Sequence, residues 1–521
     1  MTLRILAVTG SLAEDTVRRS ASETGRDIDV VPLPITVAAF ITPEYAANLL
    51  KKRNLHDYDM ILMPGSVQGD VSPVEKATGI PTFKGTVHAA DLAICFMEGL
   101  NLSKTTPASE LARDMIREKV ETELKEVMTN WREIHPKCGG LVIGSGDGAV
   151  PVGHGFPIPV VAEIVNAPQR KLDDVARLAR YYEAEGAQII DVGMIAGRPT
   201  PERVAEIVDV LRASVNLPIS VDTLDVSEIK SAIKSEVDLV LSVDAGNITE
   251  VCAEVSETPT VVLPSNMKRG ILAKNAPRRV ADLIRNIEKA RRLGLNKVIA
   301  DPVLEPAFQP GLMNSLTAYK LFREEDGQTP VLFGLGNVTE LIDVDSVGVN
   351  GLLTALAYEL GADILFTPEF SVKAKGSVRE LSTASKMMFL ARRKSILPKD
   401  LGIDLLLLKE KRWMEEPPVR RDETEVREAF KDIHFIRDKL GWFKIQLDRD
   451  MKKIEAIYYR HGDRKPATIV EGDSATELYQ TIIREKMVEK LEHAAYLGRE
   501  LEKAEIALRL GRSYVQDEDI F

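Results

Sequence analysis

Between Pro159 and Ser395 one pattern repeats eight times: a short apolar run, a polar or glycine residue at its end, then a helical stretch. The runs are VVAEIVN, QIIDVG, PISVDT, LVLSVD, TVVLP, KVIADP, PVLFGLG and DILFTP. Between them lie patterns such as KLDDVARLARYYEAEGA, TPERVAEIVDVLRASV and APRRVADLIRNIEKARRLG, with apolar residues at helical spacing. A continuous Val/Ile/Leu run of this length reads as a strand buried on both faces, which a parallel sheet covered by helices provides. Eight such units in about 240 residues are the count and length of a (β/α)8 barrel. The barrel is expected over residues 150–398.

The flanks read differently. Residues 1–140 alternate LRILAVTG, a helix from Glu14, DIDVVPLP, a helix around TPEYAANLLKKR, and DMILMPG. That rhythm predicts a flavodoxin- or Rossmann-like α/β domain, with the charged helix ELARDMIREKVETELKEVMTNWREI as its connection onward. Gly10 and Ser11 read as an ordinary helix cap, because no full glycine fingerprint follows them. The stretch KCGGLVIGSGDGAVPVGHGFPIP is crowded with glycine and proline and reads as a connector. Residues 399–521 predict an α+β domain. DLLLLKEKR and GWFKIQLDRDMKKIEAIYY supply its strands, and ATELYQTIIREKMVEKLEHAAYLGRELEKAEIALRLG supplies two helices, on which His493 and Tyr496 read as packing residues.

Composition narrows the function classes. A formal net charge of -11 leaves no excess of cations to displace counterions from phosphates, which argues against nucleic-acid binding. Cys95, Cys138 and Cys252 lie far apart without CxxC spacing, so neither a disulfide framework nor a cysteine zinc site is expected. No run approaches the length of about 20 apolar residues that spans a bilayer, and MTLRILAVTG lacks a signal peptide's apolar stretch; the expectation is a cytoplasmic protein without membrane association.

In a barrel of this type the strand C-termini line one face, where chemistry collects. Asn166, Asp191, Asp222, Asp244, Asp301 and Asn337 stand at six of the eight ends. Asp and Asn are also favoured helix caps. Asp191 and Asp244 stay open between cap and site, whereas Asp222, Asp301 and Asn337 are read as site residues. Carboxylates there serve as metal ligands, as general bases, or as acceptors for a planar N–H-rich ring. None of the seven histidines falls in the barrel strands, so the metal compatible with this set is magnesium, held by carboxylates and phosphate oxygens. A ring bearing an amino group beside a ring N–H presents two parallel donors to a carboxylate, and pterins have that edge. Near the eighth strand, Lys373, Lys375 and Ser377 open a helix where barrels of this kind often bind phosphate, with Arg198 as a further cation for an anionic tail.

The segments VVAEIVNAP, GAQIIDVGMIAGRPT, PISVDT, the Asp301-Pro302 pair and GLGNVTE together resemble the pterin-binding superfamily. That superfamily contains dihydropteroate synthase and the methyltetrahydrofolate:corrinoid methyltransferases, and the closest resemblance is to its branch of dihydropteroate synthase-related proteins. The resemblance implies that Asp222 and Asp301 hold the amino and imino edge of the pterin, and that Asn166 lies near the ring. In the synthases, Ser-Thr precedes the Arg-Pro of the second loop and Ser-Arg-Lys follows the seventh strand. Here Ala196-Gly197 and GLGNVTE stand instead. The latter is similar to the corrinoid methyltransferases, in which an asparagine at the place of Asn337 hydrogen-bonds near the pterin N5. On the fourth strand the family has an asparagine, for which this chain offers Ser242, Asp244 or Asn247.

The resulting expectation is a transferase that moves a one-carbon (methyl) group from a reduced folate or tetrahydromethanopterin. Asn337 and Asp222 are its catalytic groups; Asn166, Asp191, Asp222, Ser242, Asp244, Asp301 and Asn337 bind the pterin. A corrinoid enters only if a partner protein supplies it, and a homodimer is implied. Pterin-arylamine condensation of the synthase type and a non-catalytic pterin-binding scaffold are the alternatives.

Overall fold

The eight apolar runs form eight parallel strands: Val160–Ile164, Ile189–Gly193, Ile219–Asp222, Leu239–Val243, Thr260–Val262, Val298–Ala300, Leu332–Gly334 and Ile364–Pro368. Each pairs with its neighbour in sequence up to the sixth, and the eighth pairs with both the seventh and the first. A parallel bridge between Ala300 and Val331 joins the sixth strand to the seventh and closes the ring. In the computed structural model, residues 3–309, 311–399, 401–410, 425–429, 437–449 and 451–521 are described.

Strand periodicity decides what faces the barrel axis. Val160, Ala162 and Ile164 pack outward under the helices. Val161 joins Ile189, Leu239, Val261, Ile299, Leu332 and Ile364 in an interior apolar layer. Two residues beyond Val161 and Ile189, the next inward positions are Glu163 and Asp191, which are register partners. Gly193 is in turn opposite Asp222 on the third strand. An acidic layer therefore lies directly above an apolar one. Helices Leu172–Ala184, Pro201–Ser214, Val226–Lys234, Ala276–Arg292, Leu312–Glu325, Ser346–Glu359 and Ser377–Lys394 surround the strands, with only the short turn Ile248–Val251 after the fourth.

The glycine- and proline-rich stretch is more than a connector. Leu141–Ile143 and Val150–Val152 pair as an antiparallel hairpin, and Ile143, Val150 and Val152 are buried in the same apolar cluster as the barrel interior. Several of its glycines are there for space. A Cβ on Gly140 would lie 1.9 Å from the Val152 carbonyl oxygen, and one on Gly144 would meet Pro218, at the start of the third strand, at 2.8 Å. The hairpin thus plugs the end of the barrel opposite the acidic layer.

The N-terminal residues form a parallel sheet of four strands, Arg4–Gly10, Asp27–Leu33, Met60–Met63 and Thr82–Lys84, in the order second, first, third, fourth. This is the flavodoxin-type order over the strands present. The long helix Ala108–Thr129 follows. The chain divides into two compact units, Met1–Pro417 and Pro418–Phe521, so the α/β layer and the barrel share one unit. In the second unit an antiparallel sheet of Gly441–Asp448, Lys453–Arg460 and Thr468–Gly472 packs on helices Ala475–Arg484 and Leu491–Leu510, as an α+β domain requires. DLLLLKEKR is not a strand over residues 404–410; Lys411 and Arg412 lie outside the described residues. Among the described residues, no helix is long and apolar enough to cross a membrane.

Removing the hairpin's central side chain tests the plug. Ile143→Ala is expected to destabilise the unit that contains the barrel by about 2–5 kcal/mol in chemical denaturation, the range for a buried aliphatic truncated in a core that cannot collapse.

Candidate functional site

Four carboxyl groups converge at the C-terminal mouth of the barrel. Glu163, Asp191 and Asp222, on three successive strands, each bring an oxygen to within 4.8 Å of the others. Asp191 is fully buried; one oxygen accepts a 2.5 Å hydrogen bond from the Ser220 hydroxyl, and its Oδ2 has no partner. Glu163 lies folded across Gly193, where an added Cβ would come 2.2 Å from its Oε1. Asp222 ends the third strand, and no hydrogen bond to its carboxylate is made among the described residues. Burial and like charge act together here. Desolvation, then Asp222 and Glu340, push Glu163 up to about 8. Desolvation and Asp301 push Asp222 up to about 7. Asp191 is raised well above the usual carboxyl range by burial, Asp222 and Glu163.

Asp301, just beyond the sixth strand, is held more firmly. Its Oδ1 accepts from the Val303 amide at 2.7 Å and from the Tyr319 hydroxyl at 2.9 Å, leaving Oδ2 to the mouth. Burial raises it to about 6, against the opposing pull of those bonds and of Arg279. Arg279 is itself wholly buried. Its guanidinium donates to the Ala273 and Val303 carbonyls and pairs with Glu305, which fixes the loop after the sixth strand. Asn337 fastens to the same loop, its Nδ2 donating to the Leu304 carbonyl at 2.8 Å. One N–H and Oδ1 of the amide are then left for a ligand. Gly334, two residues after the start of the seventh strand, has open space where a side chain would go, while a Cβ on Gly336 would strike Pro368 at 2.2 Å.

Residues 166–366 match the family model described as "Pterin binding enzyme". The whole chain aligns at 40% identity with an uncharacterized protein of Methanocaldococcus jannaschii, covering 100% of this chain and 99% of that one. The chain belongs to the pterin-binding barrel superfamily. Residues 437–517 match a further model named PterinBD-DUF4346, and residues 3–87 match a family of unknown function. Solved structures similar to this chain include a Yersinia pestis dihydropteroate synthase with a sulfonamide drug complex (18% identity, 49% of this chain and 100% of that chain, TM-score 0.39). Another is the Xanthomonas albilineans synthase in complex with 7,8-dihydropteroate (17% identity, 49% and 99%, TM-score 0.39).

Within this pterin-binding barrel the other candidate residues separate into two groups. Asn166 sits in the first loop in a left-handed conformation (φ 51°, ψ 40°), which asparagine tolerates, and its side chain is not used as a helix cap. Ser242 is buried at the end of the fourth strand. Asp244, by contrast, closes its own turn: it accepts from the Gly246 amide, the Ser265 hydroxyl and the Met267 amide. Asn247 accepts from the Asp244 amide and donates to the Leu224 carbonyl. Both are committed to the loop, and of the three fourth-strand candidates Ser242 is the one whose side chain takes no part in these bonds.

The anion-tail group is also redistributed. Ser377 is wholly buried and takes a hydrogen bond from Asn350, which also donates to Glu380. Lys373 pairs with Asp343, and Lys375 and Arg198 are exposed. The start of the eighth helix, expected to meet a phosphate, already holds an internal anion: Glu369 accepts from the Val378 amide at 2.9 Å and from the Tyr181 hydroxyl at 3.1 Å. Glu340 likewise takes the Phe370 and Ser371 amides. A scaffold carboxylate thus takes an amide at the helix start that the sequence offered to a phosphate.

Sequence reasoning missed Glu163. The signal was present: it is the single charged residue inside VVAEIVN, two positions after the inward Val161, and an inward-facing charge in a barrel strand needs a reason. As hard oxygen donors, Glu163, Asp191 and Asp222 are also the groups that suit a magnesium ion.

The raised carboxyls make stability depend on pH with a definite sign. Glu163 and Asp222 hold protons more tightly when folded than at their ordinary values of 4.5 and 3.8. Their contribution is complete below those values and is lost as pH rises through about 7 to about 8. Glu163→Gln is therefore expected to gain in stability relative to the wild type as pH rises across this window, measured by denaturation midpoints at several pH values. A difference that does not move with pH would contradict the placement.

Proposed function

We propose that the barrel binds a reduced pterin, a folate or tetrahydromethanopterin, and transfers its one-carbon (methyl) group to an external acceptor. The observation that carries this reading is the Asp222 carboxylate. It is withdrawn from bulk water at the mouth and unpaired among the described residues, and Asp301 lies close enough to repel it. A carboxylate in that state accepts two parallel N–H bonds, the pattern offered by a pterin's exocyclic amino group and N3–H. Asp301 Oδ2 and the Asn166 amide supply further polar contacts around a ring whose face lies over the space beside Gly334.

Asn337 acts at the other end of the ring in this reading. With Nδ2 held by Leu304, its Oδ1 accepts from a protonated N5. Protonation makes N5 the better leaving group. The methyl carbon then leaves for the acceptor's electron pair, the electrons of the broken N–C bond stay on N5, and the proton is retained in the product. A neutral amide stabilises that charge without titrating, so positioning and electrostatics carry the step. The acceptor is a nucleophile brought by a partner, a reduced corrinoid in the simplest form of the proposal. Magnesium is the alternative occupant of the Glu163, Asp191 and Asp222 oxygens, where it would neutralise the charge that protons otherwise neutralise.

Titration calorimetry with reduced folate and methanopterin species tests the assignment. Asp222→Asn is expected to weaken binding on the order of a hundredfold or more, through loss of two charge-assisted bonds. Asn337→Ala is expected to spare most of the affinity and slow turnover. Undiminished binding by both variants removes the site. Condensation of a pterin pyrophosphate with an arylamine, without methyl transfer, replaces the proposed reaction by the synthase one.

A further inference from the structure

The N-terminal sheet holds a cavity that the barrel chemistry leaves unused. Its strand order, second, first, third, fourth, means that the chain leaves Arg4–Gly10 toward one edge of the sheet and returns through Met60–Met63 toward the other. Beyond the C-terminal ends of those two strands the loops diverge, and open α/β sheets bind ligands at such a point. Here the divergence is fixed by backbone contacts. After the first strand, the Ser11 and Leu12 amides donate to the Ile35 and Thr36 carbonyls, and a Cβ on Gly10 would lie 2.7 Å from the Thr36 oxygen. After the third, the Gly65 amide donates to the Thr86 carbonyl at 2.9 Å, and a Cβ on Gly65 would lie 2.6 Å from that carbonyl carbon. The first loop is tied to the second and the third to the fourth. A cavity of about 100 Å³ lies between the two tied pairs.

Small side chains keep this space open, Ala7, Ala13, Ala38 and Ala89 among its lining. One part of the wall is polar. Thr9 follows Ala7 by two positions and so faces the same side of the sheet, the side on which Val17 and Leu92 pack. Thr9 is 2% exposed, and its hydroxyl, which makes no hydrogen bond among the described residues, opens on the cavity. A hydroxyl withdrawn from water without a partner is unfavourable, and a ligand that bonds to it relieves that cost. Half-buried Ser66 brings a second hydroxyl without a partner among the described residues. The Thr86 hydroxyl donates to the His88 carbonyl at 2.7 Å, which leaves its oxygen free to accept.

The wall also says what does not belong there. No charged side chain and no histidine lines the cavity. The adjoining helix Glu14–Glu23 carries Glu14 and Asp15 in its first turn, which disfavours a phosphate. Hydroxyls both donate and accept, so they suit a neutral group that does the same, such as an amide. A dry cavity of about 150 Å³ holds benzene. The space here therefore takes one ring, edge first, and does not enclose two fused ones. We infer that the N-terminal α/β layer carries a second ligand site, between its first and third strands, for an uncharged single ring whose amide-like edge meets Thr9, Ser66 and Thr86. The site does not depend on the pterin reading of the barrel.

Ligand-observed NMR titration of the full chain with benzamide, benzoate and toluene tests this, because the three probes share one ring and differ at its edge. Benzamide is expected to bind, and benzoate to bind more weakly by about tenfold or more, since its charge loses water and meets no cation. Thr9→Val keeps the side-chain shape and deletes the hydroxyl; it should weaken benzamide by about tenfold and leave toluene unchanged. Thr9→Ser, which keeps the hydroxyl, should hold benzamide affinity within about threefold of the wild type. Ala38→Phe, at the half-buried rim, should abolish binding of benzamide and toluene by filling the space, and should leave reduced-pterin binding as in the wild type. Absence of benzamide binding, equal affinities for benzamide and benzoate, or a benzamide affinity untouched by Thr9→Val and Ala38→Phe overturns the site. Benzamide binding that is lost in Asp222→Asn puts the probe in the barrel mouth and overturns it as well. Failure of the wild type to bind any reduced pterin strikes the barrel reading alone.

Discussion

The structure is organised around an unfavourable fact: three carboxyl groups are crowded together above an apolar layer, with no salt bridge to any of them among the described residues. Each of Glu163, Asp191 and Asp222 would be better solvated at the surface; burial raises all three, and like charge adds to it, from Asp222 on Glu163 and Asp191 and from Asp301 on Asp222. A fold tolerates such a cluster only where the rest of the structure over-determines it. Here strand register sets Glu163 opposite Asp191 and Gly193 opposite Asp222, and barrel closure prevents the strands from slipping to relieve the repulsion. The hairpin at the far end completes the interior core that holds those strands in place.

What separates site from scaffold is whether an acidic or amide group already has its donors. Asp244, Glu340, Glu369 and the Asn350–Glu380 pair are all saturated by backbone amides or hydroxyls from nearby loops. They shape the βα loops and leave little for a ligand. Asp222 and the free oxygen of Asp191 lack such partners, and Asp301 is half committed. Arg279, buried and clamped to Glu305, draws Asp301 down in part and holds the loop that presents both Asp301 and the carbonyl that orients Asn337.

The barrel was legible because its signal is long-range and redundant: eight repeats of one apolar run, each followed by helical spacing, admit few other folds. The placement of Asp222, Asp301 and Asn337 at or just beyond strand ends was legible for the same reason, as strand ends are fixed once the strands are. Partner choice was not. Asp191 and Asp244 look alike in sequence, a single acid closing an apolar run, yet one loses its water and keeps an orphan oxygen while the other folds into a turn. Near Ser377, where an anionic tail was expected, the Val378 amide is taken by Glu369, eight positions before Ser377, whose reach depends on loop geometry rather than on composition. The hairpin was missed because its two strands are three residues each, shorter than a periodic signal, and its glycines mark close packing as much as flexibility. The leucine-rich segment at 404–410 shows the converse: an apolar run by itself does not make a strand.

The family assignment and the site geometry meet at one claim, that the acidic mouth grips the amino-bearing edge of a flat nitrogen ring. A crystal structure of the protein soaked with a tetrahydropterin tests this most directly. The account predicts density for the ring inside the barrel mouth, its amino group and N3–H within hydrogen-bond reach of the Asp222 carboxylate and its N5 turned toward Asn337. A ring bound with that edge facing solvent, or a metal ion filling the space among Glu163, Asp191 and Asp222, would contradict it.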